Sequence, residues 1–207
     1  MLTEGQMRPS TIPMPLLLLL WLSFQPATDG HCQSRFVNDR GDHRAGFMAG
    51  VGGQSLLNVR YRYLTTTVAG EYQYNLLKRG PWGVHGMVQP HIVFTRFNIN
   101  DNDPVDQRGL EFGVNMGLIL ERHLKTGRGA LYAGVSSGPH FLLKDTHRQS
   151  SGPIFSSALF IGYAHRVSRH MVVEIRPGYR HISNAGIYLP NGGINNSTLS
   201  AGLSYHF

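Results

Sequence analysis

The chain has 207 residues and a single cysteine, Cys32. One thiol cannot close an internal disulfide, so the fold must be held by packing and hydrogen bonds. The preceding residues, "DGHC", lack the apolar residue expected three before a lipidated cysteine, so Cys32 reads as incidental. Charge is also scarce, at 15% of residues against 41% hydrophobic. That balance excludes an intrinsically disordered chain. Acidic residues are the scarcer sign, 12 against 19 basic ones, giving a net charge of +7. The lysines and arginines are dispersed, which argues against a nucleic-acid patch. The 11 histidines are scattered too, and no His, Cys, Asp and Glu cluster has ligand spacing, so neither a metal nor a cofactor is expected.

Long hydrophobic runs are missing but for one. "MPLLLLLWLSF", Met14 to Phe24, falls short of the ~18 apolar residues that suggest a transmembrane helix. With Arg8 before it and small residues from Ala27 to Gly30 after it, residues 1–30 read as a secretory signal peptide. A helical 3.6-residue period is absent from everything that follows.

Period-two alternation is present in its place. "LEFGVNMGLIL" sets Leu110, Phe112, Val114, Met116, Leu118 and Leu120 on one face. Glu111, Gly113, Asn115 and Gly117 take the other. "LSAGLSYHF" repeats the pattern up to Phe207, and Tyr72, Tyr74 and Leu76 oppose Glu71, Gln73 and Asn75. Eight such segments are expected, near 44–63 (bent or interrupted), 66–77, 82–98, 108–121, 129–143, 153–166, 170–183 and 197–207. The second face is polar or glycine-rich, which a soluble sandwich would not bury. The expected fold is therefore all-β, an eight-stranded antiparallel transmembrane β-barrel over residues 44–207, apolar outside and polar within. Residues 31–43 would form a short periplasmic segment before it. A lipocalin-like barrel with an apolar interior is the soluble alternative. The connections alternate in length: "KRGPWG", "ERHLKTGR" and "RVSR" are short, whereas "NINDNDPVDQR", "KDTHRQSSG" and "NAGIYLPNGGINN" are longer. Short periplasmic turns and long external loops are the rule for such barrels.

"YRHISNAGIYLPNGGIN" breaks the pattern. Met171, Val173, Ile175, Pro177 and Tyr179 share a face, and the same parity carries His181 and Ser183 onto it, at the outer end of the seventh strand. Polar groups on a lipid-side face point to function. A serine is a weak nucleophile that needs an adjacent base, and the base needs a third group to fix its tautomer. A bare H-x-S near a strand end is more often an interface feature than a site.

The residues around it, "RHISNAG", then "LPNGGIN", then a closing strand ending in Phe207, resemble the lipid A 3-O-deacylase (PagL-type) family. The specific likeness is confined to the C-terminal part; the barrel pattern extends it weakly over the rest. The resemblance implies an outer-membrane barrel of a Gram-negative bacterium. It implies a serine esterase that hydrolyses the 3-O-linked acyl chain of lipid A in lipopolysaccharide. By that resemblance Ser183 is the nucleophile and His181 the general base. Asn184, Asn191 and the Gly186 backbone N–H would hold the carbonyl oxygen as charge develops. Asn191-Gly192-Gly193 also reads simply as a turn needing positive φ. The family pattern has a Glu where this chain has Asn195. An Asn carbonyl can set the imidazole tautomer but brings no charge. Asp101, Asp103 and Asp106 remain alternative acids, and Glu174 lies on the opposite face of its strand. Lys144, Arg148 and Arg180 would face lipid A phosphates, or be ordinary solvated charge. The implied partners are lipid A and outer-membrane lipids, with a homodimer left open. The competing expectation is a non-enzymatic barrel for surface binding or envelope integrity, keeping a degenerate site.

Overall fold

The computed structural model describes residues 43–54, 61–98 and 107–207. The expected signal peptide lies outside these residues, as do nearly all of the segment after it and Asp101, Asp103 and Asp106. Eight strands follow in order: β1 (His43–Gly53), β2 (Tyr63–Arg79), β3 (Trp82–Phe97), β4 (Gln107–His123), β5 (Gly129–Leu142), β6 (Gly152–Arg166), β7 (Met171–Ser183) and β8 (Ile194–His206). Each pairs with the next, and β8 returns to β1 to close the barrel. All pairings are antiparallel, and closure leaves no sheet edge.

Alternation decides which way each side chain points. On β7, Val173 and Ile175 are 38% and 49% exposed, while Glu174 and Arg176 are 6% and 5% exposed. The same split runs along β4, where Phe112, Met116 and Leu118 face out and Glu111 and Asn115 face in. Apolar side chains thus cover the outside and charges fill the inside, as the sequence predicted. The lipocalin-like alternative fails on this point, because it needs the reverse. A wall of exposed Leu, Ile, Val and Phe suits a hydrocarbon surround rather than water.

The largest differences from the expected boundaries fall at the two ends of the strand order. Of the segment expected at 44–63, β1 accounts for the part up to Gly53, and β2 begins at Tyr63 rather than at 66. A bulge between Asn75 and Leu77 then leaves Leu76 and Leu77 both exposed, which blurred the period there. At the other end β8 starts at Ile194, not 197.

The lumen is filled. The Arg176 guanidinium donates to both Glu71 oxygens, at 2.6 and 2.9 Å, and to Glu174 at 3.0 Å. It stacks 4.5 Å from the Phe160 ring centroid. Higher up, Glu111 takes hydrogen bonds from His140, at 2.6 Å, and from Arg180. Inward glycines make room for these groups: a Cβ at Gly113 would lie 2.3 Å from the His140 ring, and one at Gly162 2.2 Å from Tyr132. Toward the end with the longer connections, Tyr61, Tyr63, Phe97, Leu142, Ile154, Ile182 and Ile194 form an apolar plug.

Candidate active site

The plug forms the inner backing of the site. Ile182 and Ile194 face each other across β7 and β8, and both are fully buried. Their inward direction forces their neighbours outward. His181 and Ser183 therefore share the lipid-side face of β7, as parity predicts. Asn195 lies directly opposite His181 in the β7–β8 ladder. The sequence reading placed Asn195 in the loop; the early start of β8 puts it on the sheet. His181 Nδ1 lies 2.7 Å from Asn195 Oδ1. An amide oxygen only accepts, so Nδ1 carries a proton, and the neutral ring then has its lone pair on Nε2.

Gly193 sets how closely the strands meet here. Its φ of +61° ends the turn, and a Cβ there would fall 2.8 Å from His181 Cε1. The turn reading of this tripeptide thus holds at Gly193, with close approach to the imidazole as a second reason for glycine.

The loop from 184 to 193 is folded around Asn184, which is fully buried. Its Nδ2 donates to Ser150 Oγ at 2.9 Å and to the Tyr188 carbonyl at 2.7 Å. Its Oδ1 accepts the Gly186 N–H at 3.0 Å. Asn191 Oδ1 accepts the Asn184 backbone N–H at 3.1 Å. So two of the three expected oxyanion donors, Asn184 and the Gly186 N–H, are committed to the loop itself.

A second loop straps this one down. Gln149 bridges Asn191, and the Ser150 N–H donates to the Pro190 carbonyl at 3.1 Å. Arg148 clamps the turn, Nε to the Gly193 carbonyl at 2.9 Å and Nη2 to the Gly192 carbonyl at 2.5 Å. Asp145 accepts the Ser151 N–H at 2.6 Å, and that bond holds its carboxyl below the usual range. Sequence reasoning missed the strap: nothing in "KDTHRQSSG" alone points to its partners between Asn184 and Gly193, far along the chain.

Of the three expected outer charges, Arg180 and Arg148 are placed differently and Lys144 stays exposed. Arg180 lies in the lumen, bound to Glu111 and to Ser156 Oγ at 2.9 Å, so it cannot meet a phosphate outside. Arg148 is engaged by carbonyls, and Lys144 donates to Gln107 at 2.7 Å. Glu174 is held by Arg176 and Tyr132 on the lumen side and is no substitute acid. Among the described residues, no group of His, Cys, Asp and Glu is arranged to hold a metal. No hydrogen bond joins Ser183 Oγ to His181 Nε2 among these residues either; the two are same-face neighbours about 7 Å apart along the strand.

Comparison with solved structures gives the outer-membrane enzyme PagL, with a TM-score of 0.55 at 16% identity, covering 78% of this chain and 97% of that one. Neisserial surface protein A follows at a TM-score of 0.47 and 12% identity, covering 81% and 97%. The outer-membrane protein OprG from Pseudomonas aeruginosa gives 0.43 and 12%, covering 82% and 97%. No curated protein sequence matches significantly. At 16% identity the likeness to PagL speaks for the barrel fold alone. The family model for lipid A 3-O-deacylase (PagL) matches residues 57–204, a span that holds β2 to β7, the site and most of β8, and this chain belongs to that family.

Proposed function

We propose that this protein is an outer-membrane ester hydrolase that removes the 3-O-linked acyl chain of lipid A, with Ser183 as nucleophile and His181 as base. The observation that carries the reading is the His181–Asn195 hydrogen bond on the lipid-facing wall, one residue pair below Ser183. The longer connections mark the external end, so the site lies at the level of the outer leaflet, where lipopolysaccharide can reach it by lateral diffusion.

Ser183 Oγ attacks the ester carbonyl and its proton passes to His181 Nε2. The sugar oxygen leaves with that proton, and the acyl group stays on Ser183. Water then attacks the acyl-enzyme, gives a proton to His181, and the fatty acid departs as Ser183 recovers its hydrogen. Ser183 and His181 close their hydrogen bond when substrate seats, as catalytic pairs do on forming the reactive complex. Asn191 is the oxyanion donor of choice, because its Oδ1 is engaged and its amide nitrogen is thereby turned to other partners. Asn184 and Gly186 shape the loop instead. Asn195 fixes the tautomer but adds no charge against the imidazolium, so turnover is slower than a Glu at this position would give.

Asn195 in place of an acid is also what favours the competing reading, a non-enzymatic barrel. A lipid-soluble phosphonate ester separates the two. Mass spectrometry of the intact barrel should find one phosphonyl adduct on Ser183, absent in Ser183→Ala and strongly reduced in His181→Ala. An unlabelled wild-type barrel would favour the non-enzymatic reading.

A further inference from the structure

Two Ser-Ser pairs, Ser136-Ser137 on β5 and Ser156-Ser157 on β6, interrupt the apolar outer face. One serine of each pair turns inward; Ser137 and Ser157 turn out and are exposed. They sit in one register row with the site: Ser137 pairs Ser157, Ser157 pairs His181, and His181 pairs Asn195. Four consecutive strands thus carry a continuous polar row across the lipid-facing wall. On the two serine strands apolar side chains flank it, Phe155 and Leu159 on β6 and Val135 and Phe141 on β5. The serines are therefore not the edge of the apolar band but a polar gap inside it.

Ser137 Oγ and Ser157 Oγ are 2.8 Å apart, and either can be the donor. That bond uses one of two hydroxyl protons and leaves the other, with spare lone pairs, facing hydrocarbon. Exposed hydroxyls without a partner are costly there. A group on the lipid side that both donates and accepts completes the pair, and an alcohol does so.

Position says which alcohol. Ser183 pairs with Phe155, so Ser157 is its diagonal neighbour, about 7–8 Å away. A reacting carbonyl carbon sits about 3–3.5 Å from the attacking oxygen. An acyl chain leaving that carbonyl toward β6 passes Ser157 within its first few carbons. We propose that Ser157 and Ser137 form a specificity ledge that recognises a hydroxyl on the acyl chain near its ester carbonyl. This rests on the esterase reading of the same site.

The test uses the inert Ser183→Ala barrel in detergent and two synthetic lipid A monosaccharides. They are identical except that the ester-linked chain does or does not bear a hydroxyl near its carbonyl. Native mass spectrometry should show about tenfold tighter binding of the hydroxylated form, the worth of one good hydrogen bond. Adding Ser137→Ala and Ser157→Ala should bring the two lipids to parity. These changes make the outer wall more apolar, so folding is not at stake. Equal binding before the change, or a preference that survives it, overturns the ledge. Acyl release by the barrel that keeps Ser183, measured alongside, reports on the esterase reading separately: release without a binding preference overturns the ledge alone, and no release overturns the esterase reading on which it rests.

Discussion

In the proposed mechanism, Asn195 concentrates the chemistry at a single atom. Its Oδ1 orients His181, yet it offers no negative charge when the imidazole takes a proton. Asn195→Glu should therefore raise the deacylation rate, by about tenfold or more, since a triad carboxylate is worth up to about 10⁴ elsewhere. Asn195→Leu should lower the rate, because the tautomer is then unset. Initial rates of fatty-acid release measure both, and equal rates for all three side chains would show that Asn195 plays no part. At this scale the sequence was informative about His181 and Ser183, because strand parity is a local rule. It was less so about Asn195, whose place on β8 depends on Gly193 ending the turn and on Ile194 seating against Ile182. The expected donors Asn184 and Gly186 looked free in one dimension; their mutual hydrogen bond appears only once the loop is folded.

The loop between β7 and β8 is the element that decides whether those side chains meet. Gly193→Ala puts a Cβ against His181 and forces an L-residue into the left-handed region, which costs roughly 1–2 kcal/mol. It should reduce acyl release far more than it reduces the melting temperature, and a variant with wild-type kcat would show that the approach is not needed. Arg148→Ala removes two charge-assisted bonds to the turn carbonyls. Its expected signature is a lower kcat, partly restored in Arg148→Lys, with the barrel intact by heat-modifiable electrophoresis. Asp145 adds a pH dependence to the same strap. Its folded carboxyl is held low by the Ser151 N–H, so the bond is fully present above the ordinary aspartate range and is lost only as pH falls through the depressed value. The protection factor of the Ser151 amide, its exchange rate relative to an unstructured peptide at the same pH, should fall in that acidic window and hold constant above it. The strap was illegible in the sequence because its partners, Arg148 with Gly192 and Ser150 with Asn184, are joined by the sheet and not by any local pattern.

On the scale of the whole molecule, the barrel holds its site by a filled lumen. Arg176 ties β7 to Glu71 on β2, on the far side of the interior from its own neighbours β6 and β8. Arg176→Ala leaves Glu71 and Glu174 without that cation, and removing one partner of a buried pair costs about 3–5 kcal/mol. Urea unfolding in detergent should show a loss of that order; a change under about 1 kcal/mol would mean that the network is not what holds the lumen. Barrel class, strand count and facing were legible early, since period two recurs from segment to segment even where a bulge interrupts it. The ion pairs were not, because register across a closed sheet sets them, and neither was the serine row, whose members lie on separate strands that only register aligns. The central claim is that this wall of the barrel deacylates lipid A. Mass spectrometry of lipid A from a Gram-negative host expressing the chain tests it most directly. The account predicts loss of one ester-linked acyl chain with the wild type, greater loss with Asn195→Glu and none with Ser183→Ala. Lipid A left unchanged by a correctly inserted wild-type barrel, across several lipid A forms, would contradict it.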